Sequence, residues 1–211
     1  MGYPSSSLFA PLLAVAAAAG GVVRGMPSDH AAVVRAAASL PDCTANSFGD
    51  FAWTITGFQY NGSYIFSTPA HQVDNGVVSF NVTNPALPYP AVCLATSTQL
   101  EDFFYGNVVY NCTVPDEQEA AANGPTHTTF SFSVPTRELD VNQTWICPEG
   151  SDPTGPDGFQ YAGRVTLPLT CAETNYSNPD WQVGEIYSSR EVTCDTSGPV
   201  TVVPYQEEAE A

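Results

Sequence analysis

The 211-residue sequence contains no lysine, and its five cationic side chains are all arginines: Arg24, Arg35, Arg137, Arg164 and Arg190. Schiff-base chemistry on the protein is thereby excluded. Set against twenty-two Asp and Glu, five cations leave a formal net charge of −17. That balance excludes the phosphate neutralisation on which nucleic-acid binding rests, and equally an attraction to anionic membranes. Histidine is scarce too. His30, His71 and His127 are the only three, and none stands in a nucleophile-elbow, HExxH or Cys/His pattern. No apolar run reaches the roughly twenty residues that span a bilayer. There is no CxxC or Cys/His spacing for zinc, so the reading assigns no catalytic residue, no metal and no cofactor.

What the chain does have is a secretory layout. Leu8–Ala19 (LFAPLLAVAAAA) is a twelve-residue apolar stretch ending in small residues, which predicts a cleaved signal peptide over 1–19. Residues 20–42 read as a flexible arm or pro-segment, 43–203 as a single β domain, and 204–211 as an acidic disordered tail. Five sequons follow the leader, at Asn61, Asn81, Asn111, Asn142 and Asn175. Glycan addition requires such sites to be exposed to the lumen or exterior. Secretion to the extracellular space is the expected localisation, with no membrane association once the leader is removed.

From residue 43 onward helix signals are sparse, and apolar residues alternate with small polar ones. Phe51, Trp53 and Ile55 alternate in this way, as do Val78, Phe80 and Val82, and Phe130, Phe132 and Val134. This period predicts an all-β fold of about ten strands, a small disulfide-stapled antiparallel β-barrel or β-sandwich. The same phase turns Asn81, Asn111 and Asn142 away from the core. Stretches 84–90, 115–125 and 148–158 are proline- and glycine-rich and read as loops.

Cys43, Cys93, Cys112, Cys147, Cys171 and Cys194 are an even set, which in a secreted chain implies full pairing among fifteen possible connectivities. Neighbour order favours Cys93–Cys112 and Cys147–Cys171, leaving Cys43 to meet Cys194.

Several groups invite a functional reading beside a plain one. Ser67, Ser79, Ser131 and Ser133 read as surface hydroxyls rather than nucleophiles. Glu101–Asp102 and Glu117/Glu119 are acid pairs for glycoside chemistry only if they converge; otherwise they are solvated loop carboxylates. Glu149, Asp152 and Asp157 offer oxygens to a hard cation, but their spacing departs from the EF-hand loop and favours an ordinary polar loop. Among Tyr60, Tyr64, Tyr89, Phe103, Phe104 and Tyr105, the consecutive Phe103, Phe104 and Tyr105 are the best candidates for an exposed ligand-binding platform. Sheet packing is expected to take most of the others.

Taken in order, Phe51-Ala52-Trp53-Thr54-Ile55 with Phe58, the Cys93–Cys112 stretch containing Leu100-Glu101-Asp102, Phe130-Ser131-Phe132, and Val165-Thr166-Leu167-Pro168-Leu169 with Cys171 resemble the fungal Alternaria allergen 1-like family, over roughly Cys43 to Cys194. The resemblance implies a secreted β-barrel or sandwich without known catalysis, linked to allergenicity and to recognition by plants. It also implies binding of a small flavonoid-type ligand or a host protein. Two features depart from the family pattern: a longer 93–112 loop, and an even cysteine count that leaves none for the intermolecular bridge of the type member. A monomer is therefore the favoured state. The rival readings are a lectin-like carbohydrate-binding module and an acid-active hydrolase.

Overall fold

A computed structural model describes residues 42–114, 126–147 and 157–210. The predicted signal peptide, nearly all of the arm, and the acid residues at 117, 119, 149 and 152 lie outside the described residues.

Among the described residues a single turn of helix, α1 (Cys43–Asn46), precedes eleven strands: β1 (Trp53–Thr68), β2 (His71–Thr83), β3 (Ala91–Ser97), β4 (Tyr110–Asn111), β5 (Thr126–Ser133), β6 (Glu138–Ile146), β7 (Gly158–Thr166), β8 (Leu169–Ser177), β9 (Ser188–Thr196), β10 (Val200–Val202) and β11 (Pro204–Glu210). They form two antiparallel sheets. The first runs β3-β2-β1-β9-β8, with β10 alongside the start of β1; the second runs β11-β7-β6-β5-β4. The sheets do not close on one another, so of the two predicted architectures the sandwich is the one formed.

The alternating residues drive this arrangement. Trp53, Ile55, Val78, Phe80 and Val82 are buried on the first sheet, and Phe130, Phe132, Val141 and Trp145 on the second. Rings mesh across the gap: Phe58 meets Phe132 with centroids 5.2 Å apart and Phe80 meets Phe130 at 4.9 Å. A buried polar centre crosses the same gap. The Gln143 side-chain oxygen accepts from Trp53 Nε1 at 2.7 Å and Asn84 Nδ2 at 2.8 Å, while its amide donates to Thr128 Oγ1 at 2.8 Å. Below it, α1 is fixed by Ser47, whose hydroxyl accepts from Trp145 Nε1 at 2.9 Å and whose carbonyl accepts from the Tyr161 hydroxyl.

All six cysteines are paired. Cys93 joins Cys112, as neighbour order predicts. The other two pairings differ from the prediction: Cys43 joins Cys147, and Cys171 joins Cys194. Cys147 follows the last residue of β6 in the second sheet, whereas Cys171 lies on β8 in the first and stands directly opposite Cys194 in the β8–β9 register. Strand order, which neighbour counting cannot see, separates the expected partners.

The C-terminal segment also corrects the reading. Residues 204–210 form β11, which pairs along β7 from Gly158 to Gly163 instead of lying disordered. Its carboxylates occupy a sheet edge, where charge discourages unwanted strand pairing.

Candidate functional site

Phe103, Phe104 and Tyr105 do not form a platform. Phe103 is 0 % exposed and Phe104 2 %, and only Tyr105 reaches solvent, at 39 %. Positive φ at Glu101 (77°) and Phe103 (64°) turns the backbone so that both phenylalanines enter the core. Phe103 lies over Gly62 and Gly76; a Cβ on Gly76 would fall 2.5 Å from the Phe103 Cβ. Phe104 packs on Tyr60, Tyr110 and Phe132. Tyr105 folds back on the turn, its hydroxyl donating to the Leu100 carbonyl at 2.6 Å and accepting from Asp102 N at 3.0 Å. Of the other aromatics, Tyr60, Tyr64 and Tyr89 are buried, as core packing requires. The Glu101–Asp102 pair sits at this turn. Ser131 and Ser133, read as surface hydroxyls, are buried instead, with residues 104–106 bonded along the end of β5.

Beside the turn, the inner face of the first sheet carries a polar cluster. Tyr64, Asp74, Arg190 and Asn175 lie in one cross-strand row. Arg190 sits 5.0 Å over the Tyr64 ring and pairs with Glu173 at 2.9 Å, and Asn175 donates to the same carboxylate at 2.8 Å. The Arg190 and Asn175 hydrogen bonds hold the Glu173 carboxyl below its ordinary range. Every polar group here answers another, which marks a structural cluster except at Asp74. One Asp74 oxygen is shut off from solvent without a hydrogen-bond partner, while the other accepts from Gln72. Desolvation pushes the Asp74 carboxyl upward, opposed by Gln72.

A raised folded-state pKa means the native protein holds this proton more tightly than the unfolded chain. The group therefore favours folding below the ordinary carboxyl range, and that contribution is lost as pH rises through its folded value. Asp74→Asn is expected to stabilise the protein at pH 7 by about 0.5 kcal/mol, a penalty for one unpaired oxygen discounted for the exposure of the rest of the side chain. Thermal melts of both proteins at pH 7 and pH 3 check this: the gain should vanish at pH 3, where Asp74 is itself protonated.

Ser67 and His71 meet at the β1–β2 turn, Oγ to Nδ1 at 2.9 Å. Both lie on the rim of a hairpin, outside any pocket lining described below, and no carboxylate orients the second ring nitrogen among the described residues. The pair therefore lacks the third member that makes such a contact a catalytic unit.

A concavity on the outer face of the second sheet, toward the strand ends, has a volume of about 540 Å³. Its floor is a four-strand row, His127–Thr144–Gln160–Glu208, each residue directly opposite the next. Ile146, 51 % exposed, and Gly158 and Glu210 make the next row toward the strand ends, and Asp157 closes that side. The β-sheet period places these side chains together because β5, β6, β7 and β11 all turn their second residue set outward. Ile146, Trp145 and Phe159 thus stand among several hydrogen-bonding groups and three carboxylates, the composition of an amphipathic small-molecule groove, and its size falls in the ordinary range for such sites. His127 also bonds the sequon asparagine, Nε2 to Asn111 Oδ1 at 3.1 Å. Apart from Asp157, considered only for a cation, and His127, noted only as one of three histidines, sequence reading singled out no residue of this groove. Its row depends on register between strands up to eighty residues apart. Among the described residues no group of three or more His, Cys, Asp or Glu is arranged to hold a metal ion.

Four of the five sequon asparagines, Asn61, Asn111, Asn142 and Asn175, are exposed, and Asn81 is half-buried. No helix among the described residues is long and apolar enough to cross a membrane.

The described residues thus form an antiparallel β-sandwich stapled by three disulfides. Residues 55–194 match the family model described as Alternaria alternata allergen 1, and the chain belongs to that family. Neither the curated proteins nor the solved structures gave a match.

Proposed function

We propose that the protein is a secreted, non-enzymatic binding protein, allergen-like and a candidate effector, that takes a small polyhydroxylated phenolic ligand in the groove of the second sheet. The observation that carries this reading is the groove itself, with its row of His127, Thr144, Gln160 and Glu208 beside Ile146. Phenolic hydroxyls donate to the carboxylates and to the Gln160 oxygen, and the ring covers Ile146. The same carboxylates disfavour an anionic ligand. The Trp145 and Phe159 rings that border the groove are buried, which gives the lectin-like reading less support, because sugar stacking needs exposed rings.

Quercetin, titrated against the intrinsic tryptophan fluorescence of the protein and of its Trp53→Phe/Trp181→Phe variant, which keeps Trp145 alone, is the test. A ligand of roughly twenty heavy atoms at about −0.3 kcal/mol each gives a Kd on the order of tens of micromolar. Gln160→Arg, which fills the groove and pairs with Glu208, is expected to weaken binding by about tenfold or more, and a carboxylated phenolic should bind about tenfold more weakly than its neutral analogue. Equal affinity for wild type and Gln160→Arg would remove the groove from the account.

One observation favours the hydrolase reading: Glu208, Glu210 and Asp157 line the same groove. Under the binding reading, ester, peptide and glycoside panels give background rates, and Glu208→Gln leaves them unchanged. A rate that collapses in that variant would put hydrolysis first. With all six cysteines paired within the chain, no thiol remains for a covalent dimer. The protein should run as a monomer on non-reducing electrophoresis.

A further inference from the structure

Two sequon asparagines border the groove. Asn111 stands opposite Thr129, and Thr129 opposite Asn142, so the two share one row of the outer face, about 10 Å apart at two strand spacings. That row is the neighbour of the His127–Thr144–Gln160–Glu208 row, two residues along each strand. Both asparagines are exposed. Asn111 lies on β4, the edge strand of its sheet, and its carbonyl oxygen is engaged by His127 at 3.1 Å. Amide geometry then turns the nitrogen, the atom that carries a glycan, away from that contact. The remaining sequons differ: Asn61 and Asn81 lie on strands β1 and β2 of the other sheet, and the Asn175 nitrogen donates to Glu173.

We propose that Asn111 and Asn142 form a paired N-glycosylation site whose oligosaccharides wall one side of the groove and screen it from large partners. In each transfer the asparagine nitrogen bonds to the anomeric carbon of a lipid-pyrophosphate-linked oligosaccharide. The bond from that carbon to the pyrophosphate oxygen breaks, and lipid pyrophosphate leaves with the amide proton released to solvent. Glycans are bulky and surface-bound, and two of them on one row stand as a fence beside a groove only one row away. Small ligands pass; a folded protein does not. The claim rests on the groove reading only in naming what is screened.

The experiment uses the full chain secreted from a glycosylation-competent eukaryotic host. Glycopeptide mass spectrometry should find both Asn111 and Asn142 occupied. A gadolinium chelate carried on a neutral dextran of protein size, added to the folded glycoprotein, reports the access of a large partner to the His127 ring protons through their relaxation. Trimming the glycans with an endoglycosidase should raise that enhancement by about twofold or more, as expected of a bulky surface group removed from beside the ring. The double variant Asn111→Gln/Asn142→Gln should match the trimmed protein. Trimming leaves the polypeptide unchanged, so a poorly folding variant does not blunt the test. Unmodified Asn111 and Asn142 on the secreted chain, or occupied sites whose trimming leaves the His127 enhancement unchanged, would each overturn the proposal. Neither readout uses a phenolic ligand, so a failure of quercetin to bind is a separate result.

Discussion

Replacing Cys43 and Cys147 together by alanine should lower the unfolding free energy by about 5 kcal/mol, the largest loss available from any one of the three disulfides. The bridge closes a loop of 104 residues, against 19 for Cys93–Cys112 and 23 for Cys171–Cys194. Loop entropy alone assigns the shorter bridges about 3 kcal/mol each. Local structure adds to the difference. A four-residue helix has no independent stability, and α1 carries Ser47 to the Trp145 and Tyr161 side chains. With the bridge gone, both aromatic donors risk losing their acceptors. A domain of this size is stable by about 5–15 kcal/mol, so the variant should stand near the threshold of folding. Urea unfolding followed by tryptophan fluorescence measures it, with Cys171→Ala/Cys194→Ala as the comparison. A smaller loss from the first pair than from the second would contradict the assignment. So would a peptide map joining Cys43 to Cys194.

Gln143→Leu should cost about 3–5 kcal/mol. The side chain is 1 % exposed and its oxygen satisfies two buried donors, Trp53 Nε1 and Asn84 Nδ2. Leucine preserves volume but leaves both donors, and the Thr128 hydroxyl, without that partner; each unsatisfied buried group costs about 1–3 kcal/mol. A double-mutant cycle with Trp53→Phe isolates the link: removing the indole N–H as well should restore about 1 kcal/mol relative to additivity. Strict additivity would show that the bond contributes nothing. The Asn142 sequon survives both substitutions, so glycan effects stay out of the comparison.

How far the sequence reveals this architecture depends on which interactions decide each part. Strand phase is legible because burial of alternate side chains is a local, period-two signal: Phe51–Ile55, Val78–Val82 and Phe130–Phe132 all bury the predicted face. Even Gln143 falls on the core side of that phase; what stays hidden is its network, whose members are 15 to 90 residues apart. Phe103 and Phe104 mislead for a related reason. Three consecutive aromatics cannot all face inward on a regular strand, but two positive φ values and the cleared space above Gly62 and Gly76 admit two of them. The end of the chain misleads in the opposite direction. Gln206–Glu210 has the composition of a disordered tail, yet its pairing with β7 supplies order that composition does not encode. Disulfide partners and the groove both require strand order and register, and these emerge only when the sheets assemble.

Chemical-shift mapping of the uniformly labelled protein titrated with quercetin tests the central claim, ligand binding on the open face of the second sheet, most directly. The account predicts saturable shifts concentrated at His127, Thr144, Ile146, Gln160 and Glu208. Shifts gathered instead around Tyr64 and Arg190 or across the 178–187 loop, or no shifts at ligand excess, would contradict it.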